Sequence, residues 1–177
     1  RLGEREKKSI EAVSTRVHLV DAGGWFDGEL RDTWPLYAVQ RYLPSESRGH
    51  GTREERDALL AKAEVVLGGF PPLLDLRSRA PRLRWFHQRP AGASNLLGTD
   101  LWGSDVVVTT TRGHAESGAI AEYVVGGFLY FARGLHKAQK QGVEQRFDHH
   151  AFMPISLHGK TVCVIGVGGI GNEVGQR

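Results

Sequence analysis

An apolar run that leads directly into a glycine pattern constrains the fold more than any other feature of this sequence. Residues 161–165 are Thr-Val-Cys-Val-Ile, and residues 166–171 follow as Gly-Val-Gly-Gly-Ile-Gly. A buried strand that passes into G-x-G-x-x-G and then into a helix is typical of a dinucleotide-binding βα turn. The pattern therefore predicts a strand over 161–165, a phosphate-binding turn over 166–171 and a helix over 172–177.

Each glycine of this pattern has a predicted role. Gly166 permits the tight turn out of the strand, Gly168 lets the backbone approach a diphosphate, and Gly171 lets the helix pack closely. The backbone N–H groups that open the helix would face the anion, with help from the helix dipole. The alternative is a glycine-rich turn that binds nothing. An acidic residue that selects NAD is expected about 20 residues further on, beyond the end of the sequence, so NAD and NADP both stay open.

Short apolar runs alternate with helical signals upstream of the glycine pattern. Thr52 stands three residues before Glu55, which is the spacing of a capping box and predicts a helix start. The predicted elements are a frayed lead-in over 1–15, strands over 16–23, 64–67, 83–87 and 102–110, and helices that begin at Thr52 and at Pro71–Pro72. Alternation of strand and helix predicts an α/β fold with a parallel sheet covered by helices.

The longest helical signal covers residues 116–140. Its apolar residues recur every three or four positions, which is the period of one helix face; they are Ile120, Val124, Phe128, Phe131 and Leu135. A single helix over this range would be about 37 Å long. The polar residues 141–150 then read as a connector.

Composition and charge exclude several classes of protein. The 23 Lys and Arg residues exceed the 20 Asp and Glu residues by only three, which does not indicate a nucleic-acid-binding protein. The longest nearly apolar stretch, 123–132, is about half of the roughly 20 residues that cross a bilayer, so no membrane span is expected. The single cysteine, Cys163, is expected to be a buried apolar residue and not a nucleophile. The absence of a secretory signal pattern favours the cytoplasm.

Histidines and arginines give weaker signals. His149 and His150 lie in the polar connector without the spaced ligands that a metal site requires, so no metal is expected. His87 precedes a loop and is either a site residue or a packed strand end. Five arginines in a stretch without acidic residues either attract an anionic ligand or form a solvated helix-strand edge, which we favour; they are Arg77, Arg79, Arg82, Arg84 and Arg89.

Several motifs in order resemble the D-isomer-specific 2-hydroxyacid dehydrogenases. They are "AEVVLGG", "APRLRWFHQRPAGASNLLGTDLW", "SDVVVTTTRGHAESGAIAEYVVG" and "LHGKTVCVIGVGGIGNEVG", which together cover about 61–177. The resemblance implies a flavodoxin-like substrate domain over 1–115, a linker helix and connector over 116–150, and the first βα unit of a Rossmann domain over 151–177. It also implies an NAD- or NADP-dependent oxidoreductase that acts on a 2-hydroxy or 2-keto acid and forms a homodimer when full length.

The resemblance assigns roles to particular residues. Ala91 and Gly92 match the loop amides that bind the substrate carboxylate, and Ala91 also matches a position on the nicotinamide side of the cofactor. Gly169 stands where the family commonly has arginine, so Gly169 and Ile170 would contact the diphosphate through backbone alone. The family's catalytic Arg, Glu or Asp, and His lie downstream of the glycine pattern, so we expect this chain to be an inactive fragment. The alternative is a catalytically inactive dinucleotide-sensing regulator or scaffold with the same fold.

Overall fold

A computed structural model describes residues 2–113, 116–150 and 153–177. The predicted domain boundaries at 115 and 151 fall outside the described residues. The helices are α1 (Glu4–Glu11), α2 (Asp27–Thr33), α3 (Leu36–Tyr42), α4 (Arg53–Leu60), α5 (Leu76–Arg79), α6 (Ser117–Ala132), α7 (Leu135–Val143) and α8 (Gly169–Gln176). The strands are β1 (Val65–Gly68), β2 (Trp85–Gln88) and β3 (Val107–Thr110), and Ser94–Leu96 form a 3₁₀ turn. The chain folds as two compact units, Arg1–Thr110 and Thr111–Arg177.

The three strands form a parallel sheet in the order β1-β2-β3, which confirms the predicted α/β class. Val65, Trp85 and Val107 stand side by side in the register. One sheet face packs into the core of the first unit, which consists of Leu60, Leu76, Ala80, Leu83, Phe86, Leu96, Leu101 and Val106. The opposite face is not covered within the described residues, since Trp85 is 43% exposed and Val107 is 60% exposed. The predicted helical cover is therefore present on one face only.

The predicted capping box at the start of α4 is confirmed. The Glu55 backbone N–H donates to the Thr52 hydroxyl at 3.2 Å, and the Thr52 N–H donates to the Glu55 carboxylate at 2.7 Å. These two bonds satisfy N–H groups that have no partner inside the helix.

The helix predicted to open at Pro71–Pro72 begins later, at Leu76. Its N-terminus is capped from outside, because the Asp100 carboxylate accepts hydrogen bonds from the N–H groups of Arg77 at 2.7 Å and Ser78 at 2.8 Å. Asp100 lies more than 20 positions along the chain, so a local sequence pattern cannot indicate this cap.

The first 23 residues differ from the prediction in two places. Residues predicted to be frayed form α1, where the Lys7 ammonium pairs with Glu4 at 3.0 Å along the helix. The strand predicted over 16–23 is wrong: no neighbouring strand among the described residues pairs with it, and Val20 is 61% exposed. The segment is held by a local turn and by an ion pair between Lys7 and Asp21 at 2.9 Å.

The prediction of one long helix over 116–140 is also wrong. The segment divides into α6 and α7 at Gly134, whose φ of +67° is a left-handed conformation that ends a helix. The Gly134 N–H donates to the Phe131 carbonyl at 3.1 Å and closes the last turn of α6. With 16 residues, α6 is about 24 Å long. Within the described residues, none of the helices reaches the length and apolarity that a bilayer crossing requires.

An ion-pair cluster joins α2, α4 and α5. Arg79 lies at its centre with a side chain only 7% exposed, and it bonds Glu29 at 2.6 Å, Asp57 at 2.5 Å and Asp75 at 3.3 Å. Arg53 and Arg56 also pair with Glu29. Burial by itself would raise the pKa of Glu29, but hydrogen bonds from Arg79 and Arg56 outweigh it and lower that pKa below its ordinary value.

We expect this cluster to make the stability of the protein depend on pH in the acid range. The pKa of Glu29 is lower in the folded than in the unfolded state, so its contribution is complete above the unfolded value, near 4.5, and is lost as pH falls through the folded value. The urea midpoint, measured from pH 7 down to pH 3, should decrease below about pH 4.5. The variant Glu29→Gln should be less stable at pH 7 and should show a flatter profile; an unchanged profile would contradict the assignment.

Candidate functional site

The glycine turn over 166–171 has the backbone shape that the sequence predicts. Gly166 has a φ of +96°, which side-chain-bearing residues rarely adopt, and it lies in the turn that precedes α8. Gly168 is extended, with φ −83° and ψ −162°, and α8 begins at the next residue. The stretch from Gly166 to Gly168 is exposed, so the turn is open to a ligand.

Gly171 is the point of closest approach between α8 and the segment before it. A Cβ atom at this position would overlap the Gly166 carbonyl oxygen and would lie 3.1 Å from the Gly166 carbonyl carbon and 3.3 Å from Val164 Cγ1. Only a residue without a side chain fits there.

Gly169 packs against the backbone of Gly113, which precedes α6. A Cβ atom at position 169 would lie 2.7 Å from the Gly113 carbonyl oxygen and 2.9 Å from its carbonyl carbon. Gly113 itself has a φ of +84°. Position 169, which the resemblance matches to an arginine, therefore has no room for a side chain here, and any ligand contact at Gly169 is made by the backbone.

The start of α8 presents free hydrogen-bond donors. The N–H groups of Gly169, Ile170 and Gly171 have no backbone acceptor within the described residues, and Gly168 supplies no capping side chain. A Cβ atom on Gly168 would meet no atom within 4 Å, so the space beside it is open. Helix N-termini of this kind bind phosphate groups, and the residues present therefore fit a dinucleotide diphosphate.

The segment before the turn departs from the prediction. Residues 161–165 form no strand, because no described residue pairs with them in a ladder, and Ile165 lies at a bend. Ile165 is 97% exposed. The expectation that Cys163 is buried is wrong, since Cys163 is exposed. A β-strand needs a neighbour for its backbone hydrogen bonds, and an apolar run alone does not supply one.

The second candidate region is the loop that follows β2, over residues 89–93. The Arg89 N–H donates to the Gly68 carbonyl at 3.0 Å, which ties the start of the loop to the end of β1. The 3₁₀ turn at its other end is held by Leu96, which is 2% exposed and part of the core. Ala91 and Gly92 are exposed between these two anchors, and neither N–H has an acceptor within the described residues.

A pair of amide side chains, the buried Gln88 and the half-buried Asn95, supports this loop, and sequence reasoning missed it. Gln88, the last residue of β2, has no exposed surface. Its Oε1 accepts from Asn95 Nδ2 at 3.0 Å, and its Nε2 donates to the carbonyl oxygen of Gly92. The available signal was two carboxamide residues that flank a short loop at the end of an apolar strand.

The remaining sequence candidates have structural partners. His87 contacts the Thr109 hydroxyl through Nδ1 at 2.7 Å, as expected for a packed strand end. Arg77 pairs with Asp105 at 3.1 Å and Arg82 with Glu64 at 2.8 Å, so these arginines belong to ion pairs at the helix-strand edge. Among the residues that the structure describes, no group of three His, Cys, Asp or Glu side chains is arranged to hold a metal ion.

Comparison with known proteins adds independent information. Residues 125–177 match the NAD binding domain of the D-isomer specific 2-hydroxyacid dehydrogenases. The D-3-phosphoglycerate dehydrogenase of Archaeoglobus fulgidus is 38% identical over 144 residues, which cover 80% of this chain and 27% of that protein. The chain thus spans about a quarter of the length of this curated relative.

Two solved structures resemble the chain. The D-lactate dehydrogenase of Aquifex aeolicus, solved with NAD and lactic acid, has a TM-score of 0.50 and 25% identity over 68% of this chain and 37% of that one. A D-isomer specific 2-hydroxyacid dehydrogenase family protein of Aeromonas salmonicida has a TM-score of 0.52 and 22% identity over 84% of this chain and 46% of that one, which shows the fold alone. The matched cofactor-domain sequence, the similarity to the curated relative and the α/β fold together support the D-isomer-specific 2-hydroxyacid dehydrogenase family for this chain.

Proposed function

We propose that this chain forms part of an oxidoreductase that transfers a hydride between a nicotinamide dinucleotide and a 2-hydroxy or 2-keto acid. The observation that carries the proposal is the glycine turn, where the first three N–H groups of α8 have no acceptor within the described residues and the space beside Gly168 is open. In this proposal Gly166, Gly168, Gly169, Ile170 and Gly171 bind the diphosphate through the backbone. The cofactor, when bound, supplies or accepts the hydride.

We assign the loop of residues 89–93 to the substrate carboxylate. The exposed N–H groups of Ala91 and Gly92 are two neighbouring donors on a loop anchored at both ends, and a carboxylate is a strong acceptor for such groups. Ala91 would also lie beside the nicotinamide ring. The first unit would then be the substrate domain and the match over 125–177 the cofactor part. We assign only binding roles to the residues that the structure describes, and we assign proton transfer to none of them.

A steady-state assay of the complete natural protein tests this function. We expect oxidation of NADH or NADPH with at least one of glyoxylate, hydroxypyruvate, pyruvate and phenylpyruvate. Binding of the reduced cofactor without turnover would favour the alternative, a dinucleotide-sensing regulator, and absence of binding would contradict both. The same assay decides between NADH and NADPH by the ratio of kcat/KM.

Two further expectations stay predictions. A homodimer is implied by the family resemblance, and light scattering of the complete protein measures its mass. A cytoplasmic location is favoured by the single cysteine, which cannot form a disulfide within the chain, and fractionation of cells that express the protein tests it.

A further inference from the structure

We propose that Gln88 is a positioning residue for the substrate carboxylate and that the Ala93 N–H is a further donor beside those of Ala91 and Gly92. The inference rests on the proposed function and deepens it. Its basis is the hydrogen bond from the buried Gln88 side chain to the Gly92 carbonyl, which orients the peptide group that joins Gly92 to Ala93.

The orientation follows from peptide geometry. The carbonyl and the N–H of a trans peptide point in opposite directions, and the Gly92–Ala93 peptide is not among the cis bonds. Because the Gly92 carbonyl points inward to the buried Gln88, the Ala93 N–H points away from Gln88, and we infer that it shares the outward side of the loop with the exposed Ala91 and Gly92. The Ala93 N–H has no acceptor within the described residues.

Burial explains why Gln88 can hold this peptide in one orientation. Gln88 is fully buried, and a buried carboxamide without partners is strongly unfavourable, so its hydrogen bonds are kept. Asn95 completes the arrangement from the 3₁₀ turn, since Asn95 Nδ2 donates to Gln88 Oε1 at 3.0 Å. Ala93 itself packs against the core cluster, which limits movement at that end of the loop. The Ala93 N–H is thereby held in one orientation before a carboxylate arrives.

The variant Gln88→Met tests the proposal in the complete protein, since methionine keeps the length of the side chain and removes all of its hydrogen bonds. We compare kcat/KM for pyruvate with kcat/KM for methyl pyruvate, an ester without the negative charge. The acid-to-ester ratio should fall about tenfold or more in Gln88→Met, mainly through KM for the acid. The dissociation constant of NADH, measured by fluorescence titration, should stay within about twofold.

The matched control is Gln40→Met, which changes an exposed glutamine on α3 and should leave the ratio unaltered. General damage to the fold would lower the activities on pyruvate and on methyl pyruvate together, so it would not change the acid-to-ester ratio. An unchanged ratio in Gln88→Met therefore overturns the proposal. If the wild-type protein uses no 2-keto acid, both the proposed function and this inference are contradicted. If the wild-type protein is active and the acid-to-ester ratio is unchanged in Gln88→Met, only this inference is contradicted.

Hydrogen exchange of the unaltered protein gives a second measurement that needs no variant to fold. On addition of pyruvate with the oxidised cofactor, which cannot react together, the N–H groups of Ala91, Gly92 and Ala93 should all exchange more slowly. Protection of Ala91 and Gly92 without Ala93 would overturn the assignment of the third donor.

Discussion

The variant Gly171→Ala is expected to weaken NADH binding by about 10- to 100-fold. An added Cβ atom would overlap the Gly166 carbonyl oxygen, so the turn must open or α8 must shift before the methyl group fits. Overpacking of this kind costs about 1–3 kcal/mol. The displacement moves the N–H groups of Gly169 and Ile170, which we assign to the diphosphate. Fluorescence titration of the complete protein with NADH measures the effect.

Gly175 provides a matched control for that substitution, because it lies in the same helix, one turn further on. A Cβ atom at Gly175 meets no atom within 4 Å, so Gly175→Ala should leave NADH affinity unchanged. Alanine should also stabilise the helix by up to about 1 kcal/mol relative to glycine. Equal NADH affinities for Gly171→Ala and Gly175→Ala would contradict the role given to the closed turn.

The variant Arg79→Met should reduce the free energy of unfolding by about 3–5 kcal/mol. The Arg79 side chain is 7% exposed, and loss of its guanidinium leaves the mostly buried Glu29 carboxylate with less compensation for its negative charge. The Glu29 pKa should then rise toward or above its ordinary value, because burial raises it and Arg79 supplies the first of the opposing hydrogen bonds. Urea denaturation at pH 7 measures the loss of stability, and repetition at lower pH measures the shift.

Arg82→Met is the control for the ion-pair cluster. Arg82 and Glu64 form an exposed pair at 2.8 Å, with side chains 61% and 57% accessible, and exposed pairs contribute about 0–1 kcal/mol. If Arg79→Met were no more destabilising than Arg82→Met, burial would not be the source of the strength of the cluster.

Local sequence patterns predicted the features that depend on near neighbours in the chain. The capping box of Thr52 and Glu55 formed as expected, because both partners lie within one helical turn. Strands β1, β2 and β3 appeared where apolar β-branched or aromatic runs lie between turns. The glycine turn also followed the prediction, since a left-handed φ at Gly166 and a close approach at Gly171 both require glycine.

The wrong predictions concern features that need a partner distant in the sequence, or a helix that is interrupted by the conformation of a single residue. Residues 16–23 and 161–165 have strand-like sequences, yet no described strand lies beside them to pair with their backbone groups. The helix over 116–140 ended early because the left-handed Gly134 interrupts an otherwise continuous apolar period. Cys163 was expected to be buried because its neighbours are apolar, but burial depends on what packs against a segment.

The amino-acid sequence by itself determined the parallel α/β plan, the capping of α4 and a backbone turn suited to a diphosphate, since these follow from residue type and spacing within a few positions. Only the tertiary structure decided that Asp100 caps α5, that Arg79 joins three helices and that Gln88 holds the loop over 89–93. The contacts of Asp100 and Arg79 join residues that are distant in the sequence, so they depend on how the chain folds back on itself. The contact of Gln88 depends on the direction in which this buried side chain points. A local pattern shows two carboxamide residues beside the loop over 89–93, but it does not give the direction of either side chain.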